Sequence, residues 1–314
     1  MRAALSHRLW TPALLAAIVV AGGLLLTSNF HLRVAALIFI FGFAAIGLNI
    51  LVGFAGQVSL GHAGFLGIGA YATAIGPTHL GLPPPVAAVV GVVLAGGLAF
   101  AVGRPILRLR GHYLAVATLG LGILIAMLIT NEAAWTGGPD GMAVPRLELF
   151  GRQARGAATW YWIAGAMLVV GALFAVNLLV SPSGRALRAL HDSEVAAAVA
   201  GIDVSRHKLV AFVIAAVYAA LAGAMFALFN GFVTPDAAGF INSIELITMV
   251  VLGGMGSVFG AVVGAAILVV LPQALTIFHD YEHIMLGLIM MAVMIFLRAG
   301  IVPSLLALML GGRR

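Results

Sequence analysis

The sequence predicts an all-α polytopic membrane protein of about ten transmembrane helices, one of them a broken half-helix, with both termini cytoplasmic. Three observations carry this: the composition, a series of apolar runs, and the basic residues between them. Of the 314 residues 63% are hydrophobic and 8% charged, and the mean hydropathy is +1.16, far outside the range of a soluble domain. The 40 glycines suit membrane helices, which approach through small residues because no hydrophobic effect drives them together in lipid.

A membrane helix needs about 20 mostly apolar residues. Runs that fit this ruler occupy 11–27, 33–52, 58–78, 86–103 and 112–130, then 159–179, 209–231, 257–276 and 283–297, with a shorter one at 244–253. The first run follows Arg2 and Arg8 in the manner of a secretory leader, but no A-x-A signal closes it, so it reads as the first span. With the N-terminus inside and all ten runs crossing, Arg2, Arg8, Arg104, Arg108, Arg110, Arg185, Arg188, Arg206, Lys208, Arg298, Arg313 and Arg314 are cytoplasmic. Only Arg33, Arg146, Arg152 and Arg155 remain outside. Twelve of 16 basic residues inside is the asymmetry of the positive-inside rule, and dropping the short run as a crossing reduces the split to nine against seven.

The short run, about ten residues at 1.5 Å rise, reaches only about 15 Å. It therefore reads as a half-helix continued by irregular backbone at Gly253, Gly254 and Gly256. The same GxxG spacing, Gly53 to Gly56, breaks the junction between the second and third runs. Irregular backbone at membrane depth is tolerated where protein buries it or where it lines a wet cavity, so the breaks mark either a solute pathway or tight helix packing. Residues 301–310 either extend the last helix or lie along the inner surface.

Several chemistries are excluded. Without cysteine there is no disulfide and no thiolate metal site. The net charge of +6 is spread between apolar runs rather than gathered in a patch, which speaks against nucleic acid and for the lipid membrane as partner. The single lysine, Lys208, follows His207, so no P-loop is present and ATP chemistry belongs to another chain. No metalloprotease, serine hydrolase or paired-carboxylate pattern occurs, and neither a cofactor nor a catalytic residue is expected. Glu245 lies in Asn242-Ser243-Ile244-Glu245, whose capping-box spacing is favoured over a proton or cation site. His62, between glycines, reads as a hydrogen-bonded packing residue, with a ligand role as the alternative.

One polar island, 181–208, interrupts this apolar chain and must meet something outside the lipid. Ser181-Pro182 opens a short helix with Arg185 and Arg188 on one side and Leu187 and Leu190 on the other. Asp192 is expected to cap a second short helix through Glu194, Ala196, Ala197 and Ala198, ended by Gly201 in a left-handed conformation, and Asp203 to cap the next span. Small residues there leave room for another protein; a solvated loop or an interfacial helix fits equally well on physical grounds.

The motifs resemble the permease subunits of bacterial ABC importers for branched-chain amino acids, of the LivM-like type. They run from Leu48-Asn49-Ile50 through Gly53-Phe54-Ala55-Gly56-Gln57-Val58-Ser59-Leu60-Gly61-His62, Gly111-His112-Tyr113 and Thr136-Gly137-Gly138-Pro139-Asp140-Gly141, to the island from Gly184 to Phe212 and Leu252-Gly253-Gly254-Met255-Gly256-Ser257. The resemblance implies a single permease domain over 1–314 in the bacterial cytoplasmic membrane, with the island as a coupling region docked on an ATPase through Arg185, Arg188, Asp192, Glu194, Ala197 and Gly201. It further implies a homologous second permease subunit, two ABC ATPase subunits and an extracytoplasmic solute-binding protein, with alternating access as the mechanism. The pathway is expected at Asn49, Gln57, Ser59, His62 and Ser257, uncharged polar groups beside the glycine breaks that let a zwitterion pass without trapping it. A urea or short-amide permease of similar design, or an autonomous secondary transporter, are the competing readings.

Overall fold

In the computed structural model residues 2–109, 111–149, 152–154, 156–275, 287, 288, 291, 295, 297 and 300–309 are described. The expected tenth run, 283–297, falls outside them apart from isolated positions, as do Arg110, Arg155, Arg298, Arg313 and Arg314.

The chain is helical nearly throughout. α1 (Arg2–Leu25) and α2 (Asn29–Asn49) are followed by a π-helical turn, Ile50–Phe54, and an irregular stretch, 55–61. α3 (His62–Leu80), α4 (Pro84–Ile106) and α5 (His112–Asn131) follow. Gly81, at φ +64, closes α3 in the left-handed region, and Pro84 and Pro85 open α4 where their missing N–H groups have no helical acceptor to lose. A short helix α6 (Ala133–Thr136), a 3-10 turn (Gly138–Asp140) and the two-residue strands β1 (Met142–Ala143), β2 (Glu148–Leu149) and β3 (Arg152–Gln153) lead into α7 (Ala157–Val180). The island then forms α8 (Pro182–Asp192) and α9 (Glu194–Val199), and α10 (Val204–Asn230) follows. β4 (Phe232–Val233) pairs antiparallel with β1, while β2 and β3 form their own hairpin. A 3-10 turn (Pro235–Ala238), α11 (Phe240–Gly253), α12 (Val258–Leu275) and a C-terminal helix (Ile301–Met309) complete the described chain.

Among the described residues five helical segments are long and apolar enough to cross a membrane: 29–54, 84–106, 112–131, 157–180 and 204–230. Trp10–Leu25, Phe240–Gly253 and Val258–Gln273 are shorter apolar helices. Two expected boundaries move. α3 begins at His62 rather than 58, because 57–61 are held in an irregular path, and α10 begins at Val204 rather than 209, because Asp203 caps it ahead of the charged turn. The half-helix is also longer than expected: α11 starts at Phe240 and its 14 residues span about 21 Å.

The bundle is organised around α10, which packs against α2, α3 and α4, while α2 also packs on α7 and α12. The buried face of α10 is a run of alanines, including Ala215, Ala216, Ala219, Ala220, Ala222 and Ala224. Backbone meets backbone there. A Cβ on Gly69 would strike the Ala220 carbonyl, and one on Gly223 the Leu66 carbonyl. Such contact is how helices associate where lipid tails are as apolar as leucine. Two tyrosines tie further helices: the Tyr161 hydroxyl donates to the Val19 carbonyl at 2.7 Å and the Tyr218 hydroxyl to the Gly171 carbonyl at 2.7 Å.

Gly223→Val is therefore expected to separate α3 from α10 and destabilise the protein on the order of 1–3 kcal/mol by overpacking. Gly97→Ala, at an exposed glycine with no neighbouring heavy atom within reach of a Cβ, is expected to unfold at the wild-type temperature. Thermal unfolding in lipid nanodiscs distinguishes the two.

Candidate functional site

The two glycine breaks, about 200 residues apart in sequence, meet in space. A π-turn adds a residue to the helical repeat and re-aims the chain beyond it, and here it delivers Gly53 to Gly256. Asn49 joins them. Its Nδ2 donates to the Ser257 carbonyl at 2.8 Å, and its Oδ1 accepts from the Gly256 backbone N–H at 3.0 Å. A Cβ on Gly53 would collide with both the Asn49 amide oxygen and the Gly256 nitrogen. The Ser257 hydroxyl accepts from the Gly260 N–H at 3.0 Å and so caps α12. Gly254 (φ +120) and Gly256 (φ +77) adopt backbone conformations that a side chain disfavours. Gly253 faces the Gly260 carbonyl, which lets α11 and α12 close on each other. Asn49 thus spends its side chain on backbone groups of the second break, and Ser257 its hydroxyl on the first turn of α12.

The other polar residues near the first break are differently placed. Gln57, Ser59 and His62 are all buried. The Gln57 Nε2 donates to the Ala55 carbonyl at 3.2 Å and reaches a Glu194 carboxylate oxygen at 3.5 Å. The His62 Nε2 meets the Ala215 carbonyl at 3.1 Å and therefore donates, since a carbonyl only accepts. Gln57 Oε1, Ser59 Oγ and His62 Nδ1 have no hydrogen-bond partner among the described residues. Such atoms are uncommon in native interiors and point to water or a ligand. The stretch itself is pinned, with the Leu60 N–H donating to Thr118 Oγ1 at 3.1 Å and the Ala63 N–H to Ser243 Oγ at 3.0 Å.

The island sits on this junction. Ser181 Oγ accepts from the Gly184 N–H, so Ser181-Pro182 caps α8 as expected. Leu187 and Leu190 are buried, while the Arg188 guanidinium donates to the Leu179 carbonyl at 2.7 Å and that of Arg185 to the Val180 carbonyl at 3.4 Å, both at the carbonyl end of α7. Asp192, expected to cap α9, is instead the last residue of α8. The cap is Ser193, whose hydroxyl accepts from the Ala196 N–H at 3.2 Å, because α8 runs one residue further than the capping pattern suggested. Gly201 (φ +82) ends α9 as expected, with the Ile202 N–H reaching back to the Ala197 carbonyl at 3.0 Å. Asp203 caps α10 by accepting from the Arg206 N–H at 3.0 Å. The Asn242 capping box does not form: Gly239 holds that position, and the Asn242 side chain donates back to the Asp236 carbonyl at 2.8 Å.

α8 and the breaks are in contact, since a Cβ on Gly56 (φ +66) would press on His191. A cavity of about 600 Å³ lies between them, lined by Gly53, Phe54, Arg188, His191, Asp192 and Gly256 among others. α9 buries Ala197 against the body and presents Val195 (67% exposed) and Val199 (85% exposed) outward, an apolar face that no described residue covers. Lys208 escaped sequence reading as a site residue. Its side chain, 3% exposed, forms an ion pair with Glu194 across the Gly201 turn. A solitary lysine close to the few acids of the island was the only signal available.

These features define a polytopic α-helical membrane protein with two joined helix breaks beside a surface helix. Residues 30–295 match the family model for the permease component of branched-chain amino acid transport systems. The chain belongs to that family. It is 37% identical over 294 residues, 86% of this chain and 69% of the relative, to the Escherichia coli K12 high-affinity branched-chain amino acid transport system permease protein LivM. Identity to the Salmonella typhimurium LivM is 35%, covering 88% of this chain and 71% of the relative. The Escherichia coli K12 permease LivH is 28% identical over 71% of this chain and 78% of its own length. No solved structure matches the chain.

Asn49→Ala is expected to leave the Gly256 N–H unpartnered and destabilise the protein by about 1–3 kcal/mol. Ser59→Ala, which removes a hydroxyl without a partner among the described residues, is expected to unfold at or above the wild-type temperature in the same nanodisc assay.

Proposed function

We propose that the chain is the transmembrane permease subunit of an ABC importer that moves branched-chain amino acids inward across the bacterial cytoplasmic membrane. Membership of the family, with LivM relatives along most of the chain, carries the reading. Ten crossings with cytoplasmic termini fit the arginine distribution, and put the island on the side where ATP is available. Separate ATPase subunits supply the energy, a homologous second permease of the LivH kind completes the pathway, and an extracytoplasmic binding protein delivers the solute.

In this reading α8 and α9 are the coupling region, and the exposed Val195 and Val199 are the anchor that an ATPase groove covers. An apolar pair with the exposed charges Arg185, Asp192 and Asp203 on the same island has the anatomy of a small protein interface. Closure of the ATPase dimer on ATP shifts α8 and α9. The shift reaches the breaks because Gly56 lies against His191 and the shared cavity lies between the elements. Two-state packing of rigid elements then exposes the pathway alternately to each side. Gln57, Ser59 and His62 are its best-supported contacts, because their unpartnered atoms offer a neutral hydrogen-bonding surface to a zwitterion. Asn49 serves instead to hold the two breaks together, and Ser257 to cap α12.

Val199→Asp is expected to weaken binding of the ATPase about thirtyfold or more, the factor that corresponds to losing an interface hot spot of about 2 kcal/mol, read as loss of copurification. In vesicles containing the complete complex, wild-type protein is expected to accumulate radiolabelled leucine only with ATP and binding protein present. Uptake driven by an ion gradient without ATP would favour the secondary transporter.

A further inference from the structure

We propose that Lys208 is a positioning residue that makes α9, α10 and the irregular stretch 55–61 move as one body, converting motion of the docking helix into motion at the first break. The inference rests on the importer reading. Three observations carry it. Lys208 lies in the second turn of α10 with its side chain 3% exposed, and it pairs with Glu194 at the start of α9, itself 28% exposed. Glu194 in turn faces Gln57 Nε2 at 3.5 Å, and the Gln57 backbone N–H closes the π-turn by donating to the Leu51 carbonyl at 3.0 Å. Ala197 is the one buried residue of α9, whose ends are the Ser193 cap and the Gly201 turn.

A buried ion pair is a poor device for stability, because desolvating two charges offsets most of their attraction. An apolar or neutral pair of similar volume holds a fold equally well. Here the Lys208 half is buried and the Glu194 half partly exposed, so the two cannot part without leaving the ammonium bare in a dry surround. α9 therefore cannot lift from α10 or slide past it when an ATPase pulls on Val195 and Val199, and α10, the helix packed on α2, α3 and α4, is carried along. Gln57 takes the same displacement to the stretch that bears Ser59 and leads into His62 at the start of α3. Lysine suits the role: its compact ammonium, on a buried stem, holds the Glu194 carboxylate as a point charge.

The test uses the full complex in vesicles, with leucine as cargo and binding protein present. It compares wild type, Lys208→Arg, Lys208→Met, Glu194→Gln and the doubly neutral Lys208→Met/Glu194→Gln. The double variant separates transmission from folding, because it leaves no unpaired charge. Per assembled complex, it is expected to move about tenfold less leucine per ATP than wild type, within the usual range of coupling between sites. Lys208→Arg is expected to keep most of the wild-type ratio. A double variant with the wild-type ratio of leucine to ATP shows that the pair is structural only and overturns the proposal, and so does a double variant that no longer assembles. A wild-type complex without ATP-dependent uptake would instead sink the importer reading.

Discussion

One carboxamide, that of Asn49, holds together the two glycine breaks, at 53–56 and 253–256. In hydrocarbon an orphaned N–H or carbonyl has no water to turn to, so irregular backbone must find its partners inside the protein. Asn49 supplies a donor and an acceptor from one rigid side chain, taking the Ser257 carbonyl and the Gly256 N–H at once. Everything at that end of the bundle follows from the requirement that both breaks lie within its reach. Gly53 has no side chain because one would occupy the space of the amide, Gly253 and Gly260 let α11 and α12 turn back closely, and Ser257 caps the returning helix.

The junction also explains why the surface helices lie where they do. α8 turns its leucines onto the bundle and its arginines onto the open carbonyls at the end of α7, which fixes His191 against Gly56. α9 buries a single alanine, is tied to α10 by the Lys208–Glu194 pair and to the irregular stretch through Gln57, and faces outward with two valines. A firmly seated helix beside an outward-facing one, both touching an irregular stretch that carries unpartnered polar atoms, is the physical basis of the proposed transmission from docking site to pathway. A rigid clamp and an outward-facing α9 tied to α10 are complementary parts of such a device.

Most of the bundle could be read from sequence because long apolar runs have one stable outcome in lipid. The half-helix was legible for a related reason: Gly253, Gly254 and Gly256 cannot continue a span, and the run before them is too short. Local capping chemistry was read less well. Asp192 and Ser193 are adjacent and both can cap, and only the packing of Leu187 and Leu190, which prolongs α8, decides for Ser193. Asn242 fitted a capping box but lies inside α11, where the preceding Pro235–Ala238 turn offers its side chain a carbonyl. The pairings that matter most, Asn49 with Gly256 and Ser257, and Lys208 with Glu194, were invisible. The first spans more than 200 positions, and the second depends on a turn that folds one helix onto the next.

If α9 is the docking helix, an ATPase covers its outer face on the cytoplasmic side. The chain has no cysteine of its own, so Val199→Cys provides a single reactive position on that face. The decisive measurement is bifunctional maleimide cross-linking of this variant in membranes that also contain the candidate ATPase, carrying one cysteine in its groove. The expected result is a one-to-one adduct of permease and ATPase, and no reaction of the introduced thiol with an impermeant maleimide applied to intact cells. Labelling from outside, or membranes in which no adduct with the ATPase forms, would contradict it.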